Sequence, residues 1–128
     1  MVIRIEKSMH VTHLHTNEKG ESAFADLEIK LEGDDVEQCA NLRAPTAMLL
    51  NETNVGHDYP WHNAPQRQWV ITLRGEIEVR LRNGQSRKFG AGSLILADDL
   101  YGTGHATSVV SSEPWQCIYL PFSGEPLA

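Results

Sequence analysis

Cysteine is scarce. Cys39 and Cys117 are the two thiols of 128 residues, far apart and in no C-x-x-C arrangement, so neither a redox pair nor a thiolate zinc knuckle has a basis in this chain. Two such thiols are expected to be reduced and buried. Basic charge is also in short supply: 11 Lys plus Arg face 17 Asp plus Glu, the net charge is −6, and no basic run is interleaved with aromatics. The electrostatic footprint of nucleic-acid binding is therefore missing. Long apolar runs are missing too, because no stretch approaches the ~18 residues that cross a bilayer. The opening MVIRIEKSMHVTHLH has no apolar core of signal-peptide length. The expectation is a cytoplasmic protein with no nucleic-acid or membrane partner. No amphipathic helical pattern of ~11 residues and no internal repeat is present. The length suits a single domain, 1–128, that buries roughly two-thirds of its unfolded surface.

What the chain does have is strand signal. Glu76 to Arg82 alternates charged and apolar residues, the period-two pattern of a strand with one wet and one buried face. Asn83-Gly84 then offers the positive-φ pair of a tight hairpin. Ser86 to Phe89 is the return strand, and Gly90-Ala91-Gly92 separates it from the apolar run Ser93 to Ala97. Further strands are expected over Val2–Ile5, Phe24–Leu31, Thr46–Asn51, Gln66–Leu73, Ala106–Ser111 and Trp115–Phe122. The polar segment from Glu32 to Pro45 reads as a long surface connection with one short helical turn around Val36 to Cys39. Physics alone thus gives an antiparallel all-β domain that must close or double its sheets to hide their edges.

Alternation over Gln66–Leu73 sets Gln66, Gln68, Val70 and Thr72 on one face and Arg67, Trp69, Ile71 and Leu73 on the other. A buried amide without a partner costs about 1–3 kcal/mol, so two glutamines facing a core imply polar partners, a solvated cavity or a ligand. His62 shares their parity, and alternation that holds back to it aims it into the same mouth. His105 follows the loop Ala97 to Gly104. Two imidazoles and an amide oxygen can hold a divalent ion, with zinc, nickel, iron and manganese all open. The bland reading is an empty polar cavity in which the histidines bond to Gln68 and water. His57, in the turn-like Gly56–Pro60 stretch, is a substitute ligand if it folds back to the mouth.

In the loop, Asp98 or Asp99 can orient an imidazole, restore negative charge or act as general base, and equally each can cap a turn. Tyr101 is placed to orient a substrate. Tyr59, Trp61 and Gln66 are expected to line the pocket, the aromatics giving flat apolar walls with polar tips. His10, His13 and His15 form a second cluster; His13 and His15 share a face if the backbone is extended, and the segment reads as a solvated N-terminal stretch.

These segments resemble the two halves of a cupin site. The first half-motif of that family runs from a glycine through His-x-His to a glutamate and a closing glycine; anchored on Gly75, the glutamate position falls on Gln68, the second histidine on Ala64 and the first on His62. The likeness extends to an uncharacterised bacterial group of small cupins with His-x-Ala-Pro-x-x-Gln and Gly-x-Gly-His, here His62, Ala64, Pro65, Gln68, Gly102, Gly104 and His105. It implies an antiparallel double-stranded β-helix, the jelly-roll or cupin barrel, with its core over about 45–122 and the N-terminal strands and connecting loop over 1–44. It also implies a homodimer, a site inside the barrel and a divalent metal, with no organic cofactor. On this resemblance the chain handles a small molecule, either as a metal-dependent enzyme such as a dioxygenase or isomerase or as a metal-free ligand-binding or sensing module. Ala64 and Gln68 depart from the three-histidine, one-glutamate set, which puts oxygen-activating iron chemistry in doubt.

Overall fold

The computed structural model describes residues 7–127. The strand expected over Val2–Ile5 lies outside them. Eleven strands follow in order: β1 Lys7–Thr16, β2 Ser22–Gly33, β3 Gln38–Cys39, β4 Leu49–Thr53, β5 Asp58–His62, β6 Gln68–Arg74, β7 Ile77–Leu81, β8 Ser86–Phe89, β9 Leu94–Asp98, β10 His105–Val109 and β11 Trp115–Pro121. They form a seven-stranded sheet, β3-β2-β1-β9-β6-β11-β4, and a four-stranded sheet, β5-β10-β7-β8. The fold is all-β and of the jelly-roll type, with the sheets facing each other. Among the described residues there is no helix, and so none long and apolar enough to cross a membrane.

The β7–β8 hairpin shows how sequence becomes wall. Ile77, Val79 and Leu81 are buried while Glu78 and Arg80 turn outward, and each buried aliphatic side chain contributes about 1.5–3 kcal/mol relative to exposure. The turn differs from the tight two-residue form. Gly84 has φ 91°, no non-glycine residue has positive φ, and Gly84 N–H donates to the Leu81 carbonyl while Leu81 N–H donates to that of Gln85. This is a type I turn closed by a glycine bulge, which needs only one left-handed residue.

The larger sheet is apolar on both faces. Its inner face joins the other sheet in a core that includes Leu14, Val70, Ile95 and Trp115, while Val11, Trp69, Leu96 and Phe122 cluster on the outer side. β1 belongs to both cores, because Val11 and Leu14 are buried on opposite faces. It pairs with β2 in antiparallel register and with β9 in parallel. The N-terminal stretch is thus an interior strand, not a solvated one. The segment around Val36 to Cys39 contains the two-residue β3 in place of a helical turn, and Asp34 caps it by accepting from Val36 N–H and Glu37 N–H, both at 2.8 Å. Cys117 is buried as expected, but Cys39 is exposed.

Candidate functional site

Between the sheets lies a cavity of about 400 Å³, whose polar lining includes His62, Gln66, Gln68, His105 and Thr107. Its walls include Val70, Ile77, Val79, Ile95, Trp115 and Tyr119. Among the described residues its lining contains no lysine, arginine, aspartate or glutamate.

His62 and His105 are register partners on β5 and β10, and their ring centroids stand 4.4 Å apart. The alternation carried from Gln68 back to His62 does not hold, because residues 63–67 are not strand and His62 and Gln68 belong to different sheets. His105 pairs with His62 but Thr107 with Tyr59, so three residues of β5 span two of β10, a bulge centred on Pro60 and Trp61. The extra residue lets Tyr59 and His62 both reach the cavity although their parities differ. Gly104, just before His105, has φ 75°, and a Cβ there would meet the His62 carbonyl oxygen at 2.7 Å. Only glycine allows so close an approach.

Each imidazole is fixed through Nδ1. His62 Nδ1–H donates to the Pro60 carbonyl at 2.6 Å. His105 Nδ1–H donates to the Asp99 carboxylate at 2.6 Å. A carbonyl or carboxylate oxygen only accepts, so the proton sits on Nδ1 in both rings and leaves Nε2 as the free nitrogen. His105 is 7% exposed and Asp99 is 0% exposed. Asp99 also accepts from the Ser22 hydroxyl at 2.6 Å and from Ala64 N–H at 3.3 Å. Ser22 reaches it because Thr103 N–H donates to the Gly20 carbonyl and Ser22 N–H to the Thr103 hydroxyl, locking the β1–β2 turn onto the Gly102–Gly104 loop.

Gln68 is 8% exposed and lines the cavity, and no described residue hydrogen-bonds its amide. The glutamine face is otherwise as the alternation predicts: Gln66, Gln68 and Val70 face the cavity, Thr72 accepts from Trp115 Nε1–H at 3.0 Å, and Trp69 points to the outer cluster. Tyr119, the register partner of Val70 on the neighbouring strand β11, has its phenol pushed far above the usual range by burial, with the neighbouring Cys117 thiol adding to the rise.

Of the residues expected at the site, His62, Gln68 and His105 are gathered on one cavity, with Tyr59 and Gln66 beside them. Asp99 stands behind His105, not in the cavity. Asp98 is not at the site, because β9 alternation turns Ile95 and Ala97 inward and Asp98 outward, where Arg67 and His13 hold it at 2.8 and 2.9 Å. Tyr101 is 67% exposed and outside the lining. Its carbonyl, not its ring, is engaged, accepting from the Thr16 hydroxyl. Trp61 is also outside, stacked under the Arg82 guanidinium at 3.9 Å. His57 lies edge-on against Tyr59 at 4.6 Å, exposed and away from the lining. His13 and His15 do share a face, 4.9 Å apart, but on the outer side with Asp98. His10 bonds Asp26 at 2.8 Å.

Sequence reasoning missed Ser22, Thr107, Trp115 and Tyr119. Period-two alternation of Trp115, Cys117 and Tyr119 was a usable signal for the last two. Ser22 had none, since its partner Asp99 is 77 residues away.

Donor number and charge decide how well the site suits a divalent ion. The orientation is suitable, with two imidazoles held through Nδ1 by oxygen acceptors. The set is not: among the described residues no group of three or more His, Cys, Asp or Glu is placed to hold an ion. Ala64 brings a methyl group to the lining and Gln68 a neutral amide. Two neutral nitrogens and an amide leave a dication without the anionic donor or third imidazole that open catalytic sites use. These residues do not fit a tightly held divalent ion.

No protein-family model matches the chain, and no curated protein sequence matches it. Solved structures do. The cupin domain of Schizosaccharomyces pombe Cnp3 superposes with a TM-score of 0.51 at 15% identity, covering 95% of this chain and 86% of that one. A conserved protein of unknown function from Streptococcus pyogenes gives 0.44 at 17% identity over 61% of this chain, and a Bacillus halodurans protein gives 0.45 at 18% over 63%. The matches span 64% and 66% of those two chains. The likeness to the Cnp3 domain assigns the fold, a cupin-like β-barrel.

Proposed function

We propose that this cupin-like β-barrel binds an uncharged, oxygen-bearing organic compound in its cavity, with the oxygen at Gln68 and the apolar body against the walls. The observation that carries this reading is Gln68, a residue 8% exposed that lines the cavity and whose amide has no described partner. Leaving such a group unsatisfied costs about 1–3 kcal/mol, which a ligand oxygen or water recovers. The walls set the class. A buried ionic ligand needs a counter-charge, and no charged side chain belongs to the described lining. The size is set by volume, because a cavity of about 400 Å³ has the room of roughly a dozen waters at ~30 Å³ each.

The test is ligand titration followed by amide NMR, using phenylacetone, propylbenzene and phenylacetate as a matched series. The expected order is ketone first, hydrocarbon weaker and carboxylate weakest, with Gln68→Leu reducing the ketone's advantage by roughly tenfold. Equal binding of ketone and hydrocarbon, or a preference for the carboxylate, would sink the reading.

A second reading is a weakly held divalent ion at His62, Gln68 and His105. Its support is the shared Nδ1 anchoring of the two rings. Elemental mass spectrometry of untagged protein purified without chelator decides it: near-stoichiometric metal that disappears in His62→Ala establishes the ion and displaces the metal-free reading.

A further inference from the structure

We infer that the cavity moves a proton, with His105 as the general base toward the carbon next to a ligand carbonyl. The inference rests on the proposed binding of an uncharged carbonyl compound and goes beyond it to a reaction. Its starting point is the pair of fates of the two His105 nitrogens. Nδ1 carries the proton donated to Asp99, so Nε2 holds the lone pair, and the ring lines the cavity. The acceptor behind the ring is a wholly buried carboxylate, itself held by the Ser22 hydroxyl at 2.6 Å, where a backbone carbonyl suffices for His62. A carboxylate in that place fixes the tautomer and stabilises the imidazolium formed when Nε2 takes a proton.

The acceptor of electron density is also present. In the step, a new N–H bond forms at His105 Nε2 as the ligand's C–H bond breaks. The freed pair becomes a C=C bond, and the carbonyl π pair moves onto oxygen. The Gln68 amide, which lacks a described partner, donates N–H to that oxygen as its charge grows, an interaction worth more beside largely apolar walls than in bulk water. Return of the proton from Nε2 to the same carbon regenerates the ketone, and its return elsewhere on the enolate gives an isomer; in D2O the proton on Nε2 exchanges with solvent before it returns, so the cycle leaves deuterium on that carbon. No oxidant, reductant or second substrate is consumed. The substrate class is an enolisable, uncharged carbonyl compound with an apolar or aromatic body. His105 is the catalytic residue, and Asp99 and Ser22 are positioning residues.

Phenylacetone in D2O tests this, with deuterium entry at its benzylic carbon followed by proton NMR and binding followed on the protein amides. Wild-type protein is expected to accelerate exchange at least roughly a hundredfold over buffer with an equal concentration of imidazole. Asp99→Asn should bind the ketone, exchange it at least tenfold more slowly, and shift the His105 proton toward Nε2 by nitrogen-15 NMR. His105→Gln should abolish the acceleration. Ser22→Ala, a milder change, should lower the exchange rate and leave ketone affinity unaltered. Binding without accelerated exchange overturns proton transfer and leaves the pocket reading intact, and absence of binding overturns both. A wild-type His105 protonated on Nε2 instead of Nδ1 overturns the role of the base in any variant background.

Discussion

Asp99 and His105, six residues apart in sequence, are joined by a 2.6 Å hydrogen bond in which a wholly buried carboxylate accepts the proton of a nearly buried imidazole. The Gly102–Gly104 loop between them turns the chain back so that the end of β9 and the start of β10 meet. Truncating the acid leaves two donors behind, His105 Nδ1–H and the Ser22 hydroxyl, while Ala64 N–H keeps its bond to the residue 99 backbone carbonyl at 3.2 Å. Asp99→Ala should therefore cost about 3 kcal/mol in urea unfolding, within the range for removing one partner of a buried polar pair. A loss below about 1 kcal/mol would mean that water restores the lost bonds and that the pair does not organise the barrel mouth.

The neutrality of the site gives a converse experiment. Gln68→Glu places a carboxylate among His62 and His105, a two-histidine, one-carboxylate set of the kind that holds zinc. The variant should take up zinc near one equivalent and gain thermal stability with it, while wild-type protein under the same conditions takes up far less. Calorimetric titration and elemental mass spectrometry read this out. Equal affinity in the two proteins would show that the missing anion is not what limits metal binding.

Gln68 was legible because strand parity places side chains without knowledge of the partner strand, whereas His62 and His105 were legible from the half-motifs, since residues 63–67 are not strand and carry no parity from Gln68 to His62. Gln68 and Val70 needed only the alternation of one segment, while Gln66 reaches the cavity from the bend before β6. What parity cannot see is a change of register: the bulge at Pro60 and Trp61 sent Tyr59 inward with His62 and left Trp61 outside. Nor can it see a strand buried on both sides. β1 shows no alternation because Val11 and Leu14 enter different cores, so its polar residues dominated the reading. Asp98 and Asp99 were indistinguishable by type. Their roles were divided by one residue of parity, which gave Asp98 to Arg67 and His13 and Asp99 to His105.

Gly104 links the backbone to the site. An alanine there must hold φ near 75° and bring its Cβ to 2.7 Å from the His62 carbonyl. The left-handed backbone alone costs about 1–2 kcal/mol, and relief of the clash separates β5 from β10 where the two imidazoles meet. Gly104→Ala is expected to lower stability by at least about 2 kcal/mol and to shift the His62 and His105 ring resonances together. Gly84→Ala, with φ 91° but open space around it, is the control: a similar backbone cost with the histidine resonances unmoved. If both variants leave those resonances in place, Gly104 does not govern the ring pair.

Alkaline pH should weaken this fold through the wall opposite the histidines. Burial raises the Cys117 thiol above its ordinary 9.0, against the lowering effect of its hydrogen bonds to Tyr119 and Asn51, and raises the Tyr119 phenol above its ordinary 10.0, with the Cys117 thiol adding to that rise. A raised acid keeps its proton in the folded chain while the unfolded chain begins to release it, so unfolding gains as pH rises. The contribution is fully present below the unfolded values and is lost as pH climbs above them toward the raised folded values. Urea midpoints should thus hold steady to about pH 8.5 and fall between pH 9 and 11, with the slope reduced in Tyr119→Phe. At pH 8, exposed Cys39 should react with iodoacetamide at an ordinary rate while Cys117 stays unlabelled until the protein unfolds, since only the thiolate attacks. Equal labelling of the two thiols in folded protein would place Cys117 in a wall that opens readily. The apolar wall beside the cavity would then be open to solvent in the folded protein.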